Sequence, residues 1–237
     1  MFEAEADNAT TLVNGRYRLF NNVWNRGAAV GPYRQKIFIN EDKGKTICGW
    51  VWEWEYSYNV VSYPEIMVGV SPWSGETTPN SGFPFRVGTK KVVVNYDATV
   101  EATGRYNLAF EFWAVSGLPA TKDRITHEVM IWVASNCLGA VGLEVDRVTI
   151  QGNTFSVNVR RNHGDASGVH KKTWTIIPLV AHQPVLHGPL DIGQIIDYLV
   201  EHGHLDRRLY VAGIELGNEV MFGSGTTVIR NFEVTVQ

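Results

Sequence analysis

The chain has 237 residues, of which 44% are hydrophobic and 19% charged, and its formal net charge is -3. This length and apolar content suit one domain over residues 1–237 with a sizeable core. No basic stripe points to a nucleic-acid partner, and no apolar run approaches the ~18 residues of a membrane span.

In chain order, Met1 to Asp7 carry neither a positive n-region nor an apolar h-region, so no secretion signal is read within this numbering. Period-2 alternation between Gly, Pro, Asn and Ser clusters then predicts a succession of strands. The first is Tyr17 to Asn21, followed by a short polar stretch around Trp24 that reads as a cleft wall. Next come Lys36 to Ile39 and Thr46 to Tyr56. In the latter, Trp50, Trp52, Trp54 and Tyr56 share one face, either a sugar-stacking platform or an inter-sheet aromatic core, with core preferred. Further strands are Glu65 to Val70, Lys91 to Tyr96, Tyr106 to Trp113, His127 to Ala134, Glu144 to Ile150, Phe155 to Arg161 and Thr173 to Val180. One helix interrupts them. Ile192, Ile195, Ile196, Leu199 and Val200 form an apolar stripe at helical spacing, with Asp191 as N-cap, Gln194 completing a capping box and Gly203 as the stop. Leu209 to Leu216 and Val228 to Val236 close the series. So many strands imply two stacked antiparallel sheets, an all-β jelly-roll sandwich with one packed helix. Cys48 and Cys137 have no metal-like spacing, leaving one bridge or two free buried thiols. His202 and His204 lack a third ligand and read as solvated, so no metal is expected.

Three strands carry carboxylates on unusual faces. In His127 to Val133, one face holds Val129, Ile131 and Val133; the other sets Glu128 beside Met130 and Trp132, a composition suited to a cleft floor. In Gly104 to Trp113, Glu111 shares a face with Asn107, Ala109 and Trp113. In Gly213 to Met221, Glu215 and Glu219 share a face with Gly217 and Met221, and the segment alone does not choose between them. Gly223-Ser-Gly225 then suggests a tight turn and close backbone approach. Paired carboxyls of this kind suit glycosidic cleavage. One must be ionised to attack the anomeric carbon, and the other must hold a proton for the leaving oxygen; crowding and desolvation separate the two states.

Taken together and in order, these segments resemble glycoside hydrolase family 12. Glu128-Val-Met-Ile-Trp132 resembles that family's nucleophile strand, and Gly217-Asn-Glu-Val-Met-Phe-Gly-Ser-Gly-Thr226 its acid/base strand. Asn21-Asn-Val-Trp24 resembles its N-terminal cleft motif, and Tyr63-Pro-Glu65, Asn80-Ser-Gly-Phe-Pro84 and Gly104 to Trp113 fall between them in the family's order. The resemblance implies an open concave cleft, Glu128 as nucleophile, Glu219 rather than Glu215 as general acid/base, and Glu111 as the acid that hydrogen-bonds the nucleophile. It further implies that Asn22, Trp24, Trp73, Met130 and Trp132 contact substrate. The implied activity is retaining endo-hydrolysis of β-1,4-glucan, cellulose-type or mixed-linkage, without cofactor, in a monomeric extracellular protein. Xyloglucan specificity and a non-catalytic carbohydrate-binding jelly roll are the alternatives. Arg160 to Lys172 departs from the aromatic-rich strand that many relatives carry there.

Overall fold

The computed structural model describes all 237 residues, Met1–Gln237. Its strands are β1 (Phe2–Ala4), β2 (Thr10–Val13), β3 (Tyr17–Phe20), β4 (Ala29–Asp42), β5 (Lys45–Ser57), β6 (Glu65–Gly69), β7 (Phe85–Arg86), β8 (Val92–Ala102), β9 (Arg105–Val115), β10 (Ile125–Asn136), β11 (Leu143–Ile150), β12 (Asn153–Gly164), β13 (Thr173–Ala181), β14 (Leu190–Asp191), β15 (Tyr210–Val211), β16 (Gly213–Gly217) and β17 (Val220–Val236). The α-helix, α1 (Ile192–Glu201), lies between β14 and β15.

The strands form two sheets. The first runs β1-β4-β5-β17-β8-β14. The second runs β2-β3-β6-β16-β9-β10-β13-β12-β11, with β15 also beside β9. This is the expected all-β sandwich with one helix, with one departure: β10 and β13 are parallel. The hairpin β11–β12 folds outward, so β13 returns between β10 and β12 in the direction of β10.

The predicted turn at Gly223-Ser-Gly225 is absent. β17 runs through it, pairing first with β9 in the second sheet, then with β5 and β8 in the first. The glycines serve the close approach instead. Gly223 has φ +110, and a Cβ there would lie 2.1 Å from the Thr103 carbonyl oxygen; one at Gly225 would lie 2.4 Å from the Trp52 ring. Some strands are also longer or more numerous than alternation showed. β4 begins at Ala29 because pairing with β5 holds a stretch whose own sequence does not alternate.

Alternation on β5 turns Trp50, Trp52 and Trp54 between the sheets, each at most 1% exposed, so they are core and not a sugar platform. Tyr56, at the end of the row, reaches the surface. Both cysteines are free. Cys48 is buried in the core and Cys137 is exposed just beyond β10, so neither the bridge nor a pair of buried thiols occurs.

The helix ends as the sequence specifies. Asp191 Oδ1 accepts from the Gln194 amide at 2.9 Å, and Gln194 Nε2 donates to Asp191 Oδ2 at 2.9 Å. The Gln194 side chain does not take the Asp191 backbone N–H, because that group already donates to Gln151 Oε1. At the other end Gly203, φ +71, donates to the Val200 carbonyl and His204 donates to that of Leu199, a Schellman closure. Ile192, Ile195, Ile196 and Leu199 are buried, while Val200 is half-buried. Replacing Asp191 with Ala leaves the first-turn amide without its acceptor and is expected to cost about 1 kcal/mol. Urea unfolding should show a lower midpoint at unchanged slope.

Candidate active site

Period two divides β10 as the sequence implies. Val129, Ile131 and Val133 lie in the inter-sheet core, and Glu128, Met130 and Trp132 take the opposite face. On β9, Tyr106, Leu108, Phe110 and Phe112 are core, while Glu111 and Trp113 share the outer face with Glu128. Register then assembles the carboxyls. Glu111 sits opposite Met130 of β10 and Glu215 of β16, and Glu128 sits opposite Trp113. Glu65 of β6 adds another. The outer face of the second sheet thus floors a cleft of about 560 Å3. Asn22, Trp24, Trp73, Glu111, Glu128, Met130, Trp132 and Glu219 all line it.

Glu219 lies in the break between β16 and β17, where alternation nonetheless continues. Asn218 turns inward and is fully buried, while Glu219 and Met221 face the cleft. Asn218 Oδ1 accepts from Trp50 Nε1 at 2.7 Å and from Thr227 Oγ1 at 2.6 Å, and its Nδ2 donates to the Asn107 carbonyl at 2.6 Å. Asn107 in turn grips Glu219. Its Oδ1 accepts from the Glu219 amide at 2.9 Å, its Nδ2 donates to Glu219 Oε2, and its backbone N–H donates to the Glu219 carbonyl.

Glu128 is 7% exposed, and Trp174 Nε1 on β13 donates to its Oε2 at 2.5 Å. Glu219 is more accessible. Burial raises Glu128 to about 8 from the ordinary 4.5, with the Glu219 charge adding to it and the Trp174 hydrogen bond opposing. Burial raises Glu219 to about 7, against the Asn107 hydrogen bond. Two desolvated carboxyls that repel each other do not both ionise near neutral pH, so the pair retains a proton. Glu111 is raised well above the ordinary value by burial and then by the charge of Glu128. Glu65 and Glu215 form a second coupled pair of buried carboxyls. Burial and the Glu215 charge raise Glu65 well above its ordinary value; burial raises Glu215 to about 7, with Glu65 and Trp113 offsetting part of it. Asn22 Nδ2 donates to Glu65 Oε1 at 3.2 Å, which ties the N-terminal cleft segment to this pair.

Several lining residues escaped the sequence reading. Trp174 lies in a predicted strand, and its alternation with Ile176 and Pro178 marks a second apolar face on that strand, the signal that could have exposed it. Glu65 lies in a segment that falls in the family's motif order, but its place as a lone acid in an apolar strand was the signal that could have singled it out. His163, Asp165, Ser167 and His170 line the cleft from the segment that departs from the family pattern. Asp165 organises that loop, accepting from the Ser167 and His170 amides at 2.9 Å each. No spacing rule links Asn107 to Glu219, 112 residues apart; only the fold joins them.

The raised carboxyls set a stability trend. A group neutral in the fold but ionised in the unfolded chain binds more protons when folded, so stability falls as pH rises through the interval between its two pKa values. For Glu215 that interval runs from 4.5 to about 7. E215Q keeps the size of the side chain and removes the titration. Between pH 4.5 and 7.5 the wild type should lose up to about 3 kcal/mol more stability than E215Q. Parallel Tm curves across that range would contradict the burial of an ionisable group here.

A family model described as Glycosyl hydrolase family 12 matches residues 15–237. Endoglucanase S of Pectobacterium parmentieri is 29% identical over 228 residues, covering 94% of this chain and 83% of that protein. The native family 12 xyloglucanase from Bacillus licheniformis superposes with a TM-score of 0.89 at 30% identity, with both chains covered in full. Endoglucanase cel12A from Rhodothermus marinus superposes with a TM-score of 0.80 at 26% identity, covering 100% of this chain and 99% of that one. With its sandwich, its cleft and a match over residues 15–237, the chain belongs to glycosyl hydrolase family 12.

Proposed function

We propose that this glycoside hydrolase is a retaining endo-acting enzyme that cleaves internal β-1,4-glucosidic bonds of cellulose-type or mixed-linkage β-glucans, with residues 1–237 acting as one catalytic domain. The observation that carries the reading is the pairing, in one cleft, of a deeply buried Glu128 whose Oε2 accepts from Trp174 with a more accessible Glu219 held by Asn107.

In this reading the Glu128 carboxylate attacks the anomeric carbon as the glycosidic C–O bond breaks. Glu219 gives its proton to the departing sugar oxygen. Glu219, now a carboxylate, takes a proton from water; the resulting hydroxide attacks the anomeric carbon and Glu128 leaves as carboxylate. Two inversions retain the configuration. The greater accessibility of Glu219 suits a group that must meet both a leaving sugar and a water. Glu111, which the resemblance makes the hydrogen-bonding partner of Glu128, sits on the next strand and is coupled to it through charge. Asn22 and Trp24 hold sugar at one end of the cleft, Met130 and Trp132 contact it on the floor, and Trp73 contacts it from the loop side. A polymeric substrate places the protein outside the cell, working as a monomer.

A second reading, xyloglucan as preferred polymer, is favoured by one observation. The Bacillus licheniformis xyloglucanase superposes at a TM-score of 0.89, above the 0.80 of Rhodothermus marinus endoglucanase cel12A. Reducing-end release from carboxymethyl cellulose, lichenan and xyloglucan decides between them.

E128Q and E219Q should each lose at least ~1,000-fold of the wild-type rate on the best of these polymers while keeping the wild-type unfolding midpoint within a few degrees. NMR of the first-formed product should show the β anomer. An α anomer would refute retention, and a wild type that binds all three polymers but cleaves none would make the protein a carbohydrate-binding jelly roll.

A further inference from the structure

Trp174 is a tryptophan of the cleft whose polar atom points at the protein and not at open solvent. It is 6% exposed on β13, and its Nε1 meets Glu128 Oε2 at 2.5 Å. The parallel pairing makes this contact possible. β13 sets Ile176 directly beside Glu128, so Trp174, two residues earlier, lies on the same face one diagonal step away, within reach of a long indole. The ring is then walled in. Trp113, Trp73 and His163 meet it at centroid distances of 5.7, 5.6 and 5.6 Å and interplanar angles of 75°, 68° and 75°, all edge-on. Such contacts are each worth about 0.5–1.5 kcal/mol, so three of them hold the indole against rotation.

An indole N–H only donates. It therefore interacts more strongly with a carboxylate than with a carboxylic acid or an ester, by the gain of a charge-assisted hydrogen bond. The titratable groups that surround Glu128 are Glu111 from β9, Glu215 from β16 and Glu219 from the break after it, all of which disfavour its charge or share its proton. His163, on β12, faces Trp174 itself, and burial and then Arg160 hold its pKa down, so it offers no fixed positive charge there. Trp174 is the one side chain that donates a hydrogen bond to Glu128.

We infer that Trp174 is a positioning residue for Glu128: it holds Oε2, leaves Oε1 to bond the anomeric carbon, and stabilises the charge that returns to the carboxylate when that bond breaks. This rests on the assignment of Glu128 as nucleophile. In the glycosyl-enzyme, Oε1 carries the sugar and Oε2 is the ester carbonyl. As water attacks, the C–Oε1 bond breaks with its electron pair going to the carboxylate, and the Trp174 N–H then donates to an anion. The second step gains more from this hydrogen bond than the first.

The test uses the full chain and a 2-deoxy-2-fluoro-β-cellobioside with a dinitrophenyl leaving group. In the wild type the label should sit on Glu128, identified by peptide mass. W174F keeps a ring in the cage and removes the donor. Its labelled form should shed the sugar ~10- to 100-fold more slowly than wild type, the size of one hydrogen bond to a charged group. The acidic limb of its kcat/KM profile should also move to higher pH, and KM should stay within about twofold. Label loss within twofold of wild type, with an unmoved acidic limb, overturns the role of Trp174 while leaving Glu128 as nucleophile. A wild-type label on any other residue overturns the nucleophile assignment, and the inference with it. A second readout needs no variant at 174. In wild-type protein, one indole N–H proton resonance should shift when Glu128 is labelled and should be displaced in E128Q; indole resonances indifferent to both would equally overturn the inference.

Discussion

Asn218 accepts hydrogen bonds from Trp50 and Thr227 on the first sheet and donates one to the Asn107 carbonyl on the second. One buried amide therefore ties both sheets together at the point where β16 breaks and Glu219 is displayed. The next residue inherits its position from this knot, and Asn107 completes it by holding both ends of Glu219, backbone and carboxyl. Burying an amide is costly unless its groups are satisfied, and here all of its polar atoms have partners. The break that displays Glu219 is thereby held by side-chain hydrogen bonds where the strand ladder lapses.

The second constraint is electrostatic. Glu65, Glu111, Glu128 and Glu215 are each at most 7% exposed, and Glu219 stands among them. Adjacent strands supply them at matched register, so no local rearrangement can separate them. The cluster tolerates this by retaining protons, the Glu65–Glu215 and Glu128–Glu219 pairs each sharing an environment that opposes double ionisation. The proposed chemistry wants a carboxylate and a carboxylic acid side by side, and crowding favours such a mixture near neutral pH. The same crowding makes the fold work against itself as the solution becomes basic.

Much of this was legible in the residues. Alternation on β9 and β10 separated core from cleft because those strands are flanked on both sides by paired neighbours, which hold one face to each side between the irregularities in their register. The helix caps were legible because they are local, within three residues of Asp191 and Gly203. The order of motifs chose Glu219 over Glu215, a choice that the Gly213 to Met221 segment alone left open. What escaped is non-local. Nothing in the sequence near Gly223 says that the chain crosses between sheets instead of turning, since glycine permits both. Nothing near Thr173 says that β13 runs parallel to β10, so Trp174 had no visible partner. Asn107 and Asn218 look like ordinary polar residues in strands until the fold brings them together.

The path of β17 has a consequence for how the molecule is made. In the first sheet β17 lies between β5 and β8, so β1-β4-β5 and β8-β14 touch only through it. Both halves are translated long before their shared neighbour. While β17 is still inside the ribosome, β5 and β8 display open edges with unpaired amides and carbonyls, and β5 also bares its row of tryptophans. The sandwich closes only once β17 is in place, and until then the chain carries open sheet edges of the kind that chaperones shield.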